Sequence, residues 1–109
     1  MKVVYYRDVN TEQEVNGVNL RQVITSQDGA PHFTMTVYEI TAGSSSPSHS
    51  HPYEHGIFVF SGSGLIVGNE GSISINKDNV IYIPPNEPHC LVNTGNEPLR
   101  YISLVPEQK

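Results

Sequence analysis

Apolar residues recur along this chain in short runs of four to eight, alternating or continuous, and turn-forming residues close each run. No stretch keeps a helical period over ten or more positions, so the pattern predicts strands and little or no helix. The predicted strands are Lys2–Tyr6, Leu20–Thr25, His32–Thr41, His55–Phe60, Gly64–Gly68, Ser72–Asn76, Val80–Ile83, His89–Val92 and Leu99–Val105. Between them, Gly43-Ser44-Ser45-Ser46-Pro47 reads as a loop and Gly62-Ser63-Gly64 as a tight corner. Gly68-Asn69-Glu70-Gly71 and Asn76-Lys77-Asp78-Asn79 read as hairpins, and Pro84-Pro85-Asn86-Glu87-Pro88 as a rigid turn. About nine strands this short must share one core, so the expected fold is all-β, a sandwich or barrel. No linker or repeat interrupts the chain, and residues 1–109 are expected to form a single domain.

Several of these strands are apolar on both faces. In His32–Thr41, Phe33, Met35 and Val37 share one face, and Tyr38 and Ile40 the other. In His55–Phe60, Ile57 and Val59 oppose Phe58 and Phe60. One face fills a barrel interior. The other needs a second cover, supplied by the N-terminal strands within residues 1–33 or by a partner subunit, and a homodimer is expected.

Composition narrows the function. The formal net charge is −5, and the six Lys and Arg are scattered, which excludes the basic stripe of a nucleic-acid binder. No apolar run reaches the roughly 18 residues of a membrane span, and no secretory leader opens the sequence. The single cysteine, Cys90, forms no internal disulfide, and a reducing cytoplasm is the expected compartment. Cys90 reads as a small core hydrophobe. Nine Gly and eight Pro suit a turn-rich β domain.

Five histidines remain, and four of them cluster in a telling way. His49, His51 and His55 are spaced so that on an extended chain their side chains point to one face. Three convergent imidazoles make a transition-metal site, and His89, just after the proline-rich turn, is placed to add a fourth ligand. A bulge after Pro52 would instead turn Glu54 inward in place of a histidine. His32 reads as a bystander.

Two motifs now carry a resemblance. Gly43, five residues, His49-Ser50-His51, three residues, His55, six residues and Gly62 resembles the first motif of the cupin superfamily, with His55 where that family usually has glutamate. Asp78, five residues, Pro84-Pro85-Asn86, two residues, His89, three residues and Asn93 resembles the second, with Asp78 and Asn86 at its two glycine positions. Asp and Asn are among the side chains that best tolerate a left-handed backbone. The resemblance spans about 34–105 and implies a jelly-roll β-barrel, a double-stranded β-helix. The exchange of glutamate for His55 looks like small single-domain cupins with a four-histidine manganese site. It implies His49, His51, His55 and His89 as ligands of a divalent ion, manganese first, then iron, with nickel, cobalt, copper or zinc as further candidates.

Four neutral ligands leave the full charge of a divalent ion in place, which favours anionic substrates. In octahedral geometry they leave two open positions, whereas tetrahedral zinc would be saturated. No acid–base pair stands out: Glu39 is the one acid well inside a predicted strand, opposite in face to Tyr38, and Tyr38 and Tyr101 are possible cavity residues. No Ser-His-Asp or Cys-His nucleophile arrangement and no phosphate loop are found. The leading expectation is a manganese- or iron-dependent oxidoreductase performing oxygenase-type cleavage of a small anionic, carbonyl or enol compound. A non-redox isomerase, lyase or cyclase is the alternative, and a non-catalytic small-molecule-binding module the third.

Overall fold

The computed structural model describes residues 1–108. Nine strands form: β1 (Glu12–Val15), β2 (Val18–Ile24), β3 (Phe33–Ile40), β4 (His55–Ser61), β5 (Ser63–Gly68), β6 (Gly71–Asn76), β7 (Val80–Ile83), β8 (Cys90–Val92) and β9 (Leu99–Pro106). They build two antiparallel sheets, one ordered β1-β2-β3-β9-β4-β7 and one ordered β6-β5-β8. Ile57 and Val59 of β4, Ile40 of β3, and Leu99 and Tyr101 of β9 meet Ile66, Ile75 and Leu91 of the small sheet in one hydrophobic core. This is the jelly-roll barrel that the motifs implied. Among the described residues no helix is long and apolar enough to cross a membrane.

The alternating faces separate as the sequence pattern requires. Ile57 and Val59 are buried inside, while Phe58 is exposed and Phe60 packs edge-on against Tyr6, ring centroids 5.9 Å apart. Met35, Val37, Phe60 and Ile102 line an open groove of about 740 Å³ on the outer face of the large sheet, bordered by Val3, Val4 and Tyr6.

Three expectations change. Lys2–Tyr6 forms no strand: residues 1–5 lack regular structure, and Tyr6–Asp8 is a single 3-10 turn. The segment is apolar but has no strand beside it, and Lys2 ties it down through Nζ, which donates to the Val23 carbonyl and to Asp28, both at 2.9 Å. Second, β1 arises where the sequence shows only Glu12-Gln13-Glu14-Val15. It is an edge strand paired only with β2, so little of it needs to be apolar. Third, Asn76–Asn79 is a turn but not a hairpin. The chain crosses there from β6 in the small sheet to β7 in the large one, because Asp78 and Asn79 bond back to Val59 rather than β7 pairing with β6.

The two replaced motif glycines behave as their chemistry allows. Asp78 at φ 77° and Asn86 at φ 69° are the non-glycine residues with positive φ among those described. The loop around Ser44–His49 is more ordered than its composition implies. It runs antiparallel to residues 89–93, with Ser46 N–H donating to Leu91 and Asn93 N–H to Ser44, each at 2.9 Å. The register slips by one between Ser46 and His49, and His49 and His89 then exchange two backbone bonds of 2.9 and 2.8 Å.

Candidate metal centre

That backbone pairing places His49 directly opposite His89 at the open end of the core. His55 enters from the first position of β4, and His51 from the connecting turn, where its ring stacks on Tyr53 at 4.9 Å. The His51 ring centroid lies 5.5 Å from His49, 6.3 Å from His55 and 5.6 Å from His89, and His55 lies 5.5 Å from His89. With metal–nitrogen bonds of about 2.1 Å, two imidazoles sharing one ion stand with centroids roughly 4.5–6.5 Å apart. These four separations fall in that range. Among the described residues, however, no group of three or more His, Cys, Asp and Glu side chains is placed so that it could hold a metal ion. The rings are gathered but not all aimed: His55 turns Nε2 to the Ser103 hydroxyl at 2.6 Å.

The individual nitrogens are informative. His89 is 7% exposed, and its Nδ1 sits 2.9 Å from the Glu87 carbonyl, which can only accept. Neutral His89 thus carries its proton on Nδ1 and a lone pair on Nε2. The other nitrogen of His55, Nδ1, is buried with no hydrogen-bond partner. A buried imidazole nitrogen without a partner leaves one unmet polar atom beside three more imidazoles. Burial, and then the neighbouring His89, His51 and His49, hold His55 down to about 4, and burial with His89 and His49 also lowers His51. Neutral rings are the form that binds metal.

The four rings line a small cavity of about 50 Å³ together with Glu14, Tyr38, Ser46, Pro47, Leu91 and Tyr101. Tyr38 and Tyr101 share its wall, and burial raises both phenols, Tyr38 to about 12 and Tyr101 well above its ordinary value. The negative charge of Glu14 adds to both shifts.

Sequence reading missed Glu14, because β1 was not expected. A signal was present: Asn16-Gly17 between Val15 and Val18 is a strong two-residue hairpin dipeptide, and Gly17 takes φ 85°. Other candidates lie elsewhere. Glu54 is exposed and accepts a hydrogen bond from the Tyr82 hydroxyl at 3.2 Å, outside the four-ring cavity. Glu39 is engaged by Arg100 at 2.6 Å, and His32 is exposed and does not line the four-ring cavity, although it borders an outer groove with Glu54 and His55. Cys90 is half-buried and follows His89 without lining the cavity. Asn93, the last residue of the second motif, is structural: Nδ2 donates to the Ile40 and Glu97 carbonyls, both at 2.8 Å, and Oδ1 accepts from Gly95 N–H.

Known proteins agree with this architecture. The solved polyketide cyclase RemF from Streptomyces resistomycificus is 30% identical, with a TM-score of 0.90 over 99% of this chain and 80% of that one. A predicted oxalate decarboxylase from Thermotoga maritima superposes with a TM-score of 0.88 over 98% of this chain and 100% of its own, at 19% identity, and so shares the fold alone. An uncharacterized protein of Methanocaldococcus jannaschii is 33% identical over 64 residues, 58% of this chain, and the match spans about half of that relative, 51%. The cupin domain model matches residues 36–105, the stretch that holds all four clustered histidines and both motifs, and the chain accordingly belongs to the cupin family.

Proposed function

We propose that His49, His51, His55 and His89 hold a divalent transition metal and that the protein is a cytoplasmic enzyme acting on a small carbonyl, enol or anionic compound. Manganese is the favoured ion and iron the next. The observation that carries this reading is the convergence of four imidazoles, two phenols and one carboxylate on a single cavity. The expectation of oxygenase chemistry stood on the four-histidine shell with open positions and on the lack of an evident protein base, and Glu14 is a candidate for that base. Non-redox isomerisation or cyclisation therefore becomes the leading reading, supported by the 30% identity to a polyketide cyclase.

When bound, the ion supplies Lewis-acid polarisation of a substrate carbonyl oxygen. Glu14 is the carboxylate that lines the cavity among the described residues, and in this reading it accepts a proton from the carbon beside that carbonyl. Tyr38 and Tyr101, kept protonated by burial, are available to donate hydrogen bonds to an oxygen on which negative charge grows. Glu14 then returns the proton, to a different carbon in an isomerisation or to the new alkoxide in an aldol-type ring closure. A cavity of about 50 Å³ holds the reacting end of a substrate rather than a multi-ring molecule.

Oxygenase-type cleavage is the second reading, favoured by the all-neutral donor set. Assays of protein loaded in turn with manganese, nickel and zinc, against β-dicarbonyl compounds under air and under argon, separate the readings. Turnover without oxygen, retained across metals, supports the first. Strict dependence on oxygen moves the assignment to the second, and ligand-induced stabilisation without product points to a binding module.

We also propose a homodimer. Val3 and Tyr5 are 89% and 81% exposed beside the open apolar groove of the large sheet. Arm and groove are contiguous, so a second copy related by a two-fold axis would cover both at once. Light scattering during size-exclusion chromatography tests this, and a 12.0 kDa species at micromolar concentration would exclude it.

A further inference from the structure

The β1–β2 hairpin carries a one-residue slip. Val15 pairs with Val18, yet Gln13 pairs with Asn19 and Glu12 with Leu20, so Glu14 is an extra residue in β1. A regular hairpin continued from Val15 and Val18 would set Glu14 against Asn19, Gln13 against Leu20 and Glu12 against Arg21. Leu20 belongs to the inner row, opposite Tyr38, which is itself opposite Tyr101. Asn19 belongs to the outer row with Glu39 and Arg100. The regular register would therefore turn Gln13 inward and both carboxylates outward, with Glu12 across from Arg21. The slip reverses this: Gln13 is exposed, and Glu14 lines the cavity beside Tyr38 and Tyr101.

We propose that this bulge is the device that aims Glu14 at the cavity, so that β1 supplies the site with a carboxylate where a regular strand would supply an amide. It deepens, and rests on, the reading of Glu14 as a base given above. Neither burial nor charge accounts for the slip. Thr11-Glu12-Gln13-Glu14 has no apolar side chain to bury, so hydrophobic patterning does not choose between the registers. The regular register would gain an opposite-charge pair across the strands and would bring in the amide, which costs less to bury than a carboxylate. The bulged register forgoes both and sets the charge where it pushes two phenols up. Departures of this kind from local preference are expected at functional sites. The tip of the hairpin is held as well. The Gly17 carbonyl accepts from Thr41 N–H at 2.9 Å, and a side chain at Gly17 would collide with Ser44. Thr41 and Ser44 lead into the segment whose Ser46, Pro47 and His49 line the same cavity.

Two experiments test the assignment. The first exchanges the two side chains, Gln13→Glu together with Glu14→Gln, without changing composition or net charge. With manganese-loaded protein and acetylacetone in deuterium oxide, hydrogen exchange at the central carbon, above the uncatalysed rate, should lose about 10²- to 10⁴-fold in kcat with KM near wild type, as in Glu14→Gln alone. Glu12→Gln should keep the wild-type rate. An exchanged variant as fast as wild type overturns the proposal. The second experiment needs neither metal nor activity. In a Cys90→Ser background, the thiol of Gln13→Cys should react with a maleimide several-fold faster than that of Glu14→Cys. Equal rates, or a faster Glu14→Cys, overturn the proposal. Wild-type protein that exchanges no deuterium overturns the reading of Glu14 as a base, and the thiol rates decide the bulge separately.

Discussion

Tyr38 on β3 lies directly opposite Tyr101 on β9, and their rings stack face to face, with centroids 5.1 Å apart and planes within 6° of parallel. The pair forms one wall of the four-ring cavity and closes the core beneath it. Both roles depend on the phenols staying neutral.

Stability should therefore fall in strong base. The unfolded chain releases these protons near pH 10, while folded Tyr38 holds its proton to about 12 and Tyr101 longer. Above pH 10 the unfolded state binds fewer protons, so the stability is complete below that pH and is lost as pH rises through the folded values. Urea midpoints measured from pH 8 to pH 11 should decline only in the upper part of the range. Tyr38→Phe should flatten the decline, and a level profile in the wild-type protein would contradict it.

Truncating the stack should be costly at the buried member. Tyr101→Ala removes a fully packed ring and should cost about 3–5 kcal/mol, with Tyr101→Phe losing much less. Chemical denaturation of the two variants compares them directly.

Glu14→Gln separates acid–base chemistry from metal binding. Turnover of any substrate found should drop by about 10²- to 10⁴-fold. Manganese affinity and melting temperature should stay near wild type, because Glu14 sits half-exposed on an edge strand. Equal turnover in both proteins would remove Glu14 from the mechanism.

Manganese should raise the melting temperature. At one hundred times its dissociation constant a ligand that binds only the folded state adds about 2.7 kcal/mol. His89→Ala should abolish the shift, and a chelator should reverse it in the wild type. A melting temperature indifferent to manganese, nickel and zinc would argue against the site.

Asn86 and Asp78 test the left-handed turns. Asn86→Gly should be neutral or slightly stabilising, whereas Asn86→Val should cost about 1–2 kcal/mol, since a β-branched side chain is strained at φ 69°. Asp78→Gly and Asp78→Val should follow the same order. Equal stability of the glycine and valine variants would show that these turns relax.

How far the sequence could be read depended on where the signal was local. Strands flanked by firm turns, such as Val80–Ile83, were legible to the residue, because alternation and punctuation coincide there. That the four histidines line one cavity was legible from motif spacing, and Asp78 and Asn86 were legible because backbone sterics narrow what can replace glycine. Lys2–Tyr6 misled, since an apolar run becomes a strand only if a neighbour offers hydrogen bonds, and that depends on the rest of the fold. Glu14 was hidden for the converse reason: its strand exists through its pairing with β2 rather than through its own composition. The link between His55 and Ser103 joins residues 48 positions apart, and nothing in either local stretch announces it.

The position of β9 sets an order of assembly. It lies between β3 and β4 in the large sheet, pairing with both, although it follows all the other strands of the described residues in sequence. During synthesis the two halves of that sheet have no shared neighbour until residues 99–106 leave the ribosome. The nascent chain must then keep the inner edges of β3 and β4 unpaired for most of its length, which exposes them to wrong pairing, and such long-range strand topologies fold slowly. Ser103 arrives with the same strand, so the histidine cluster acquires its final geometry only once β9 has docked.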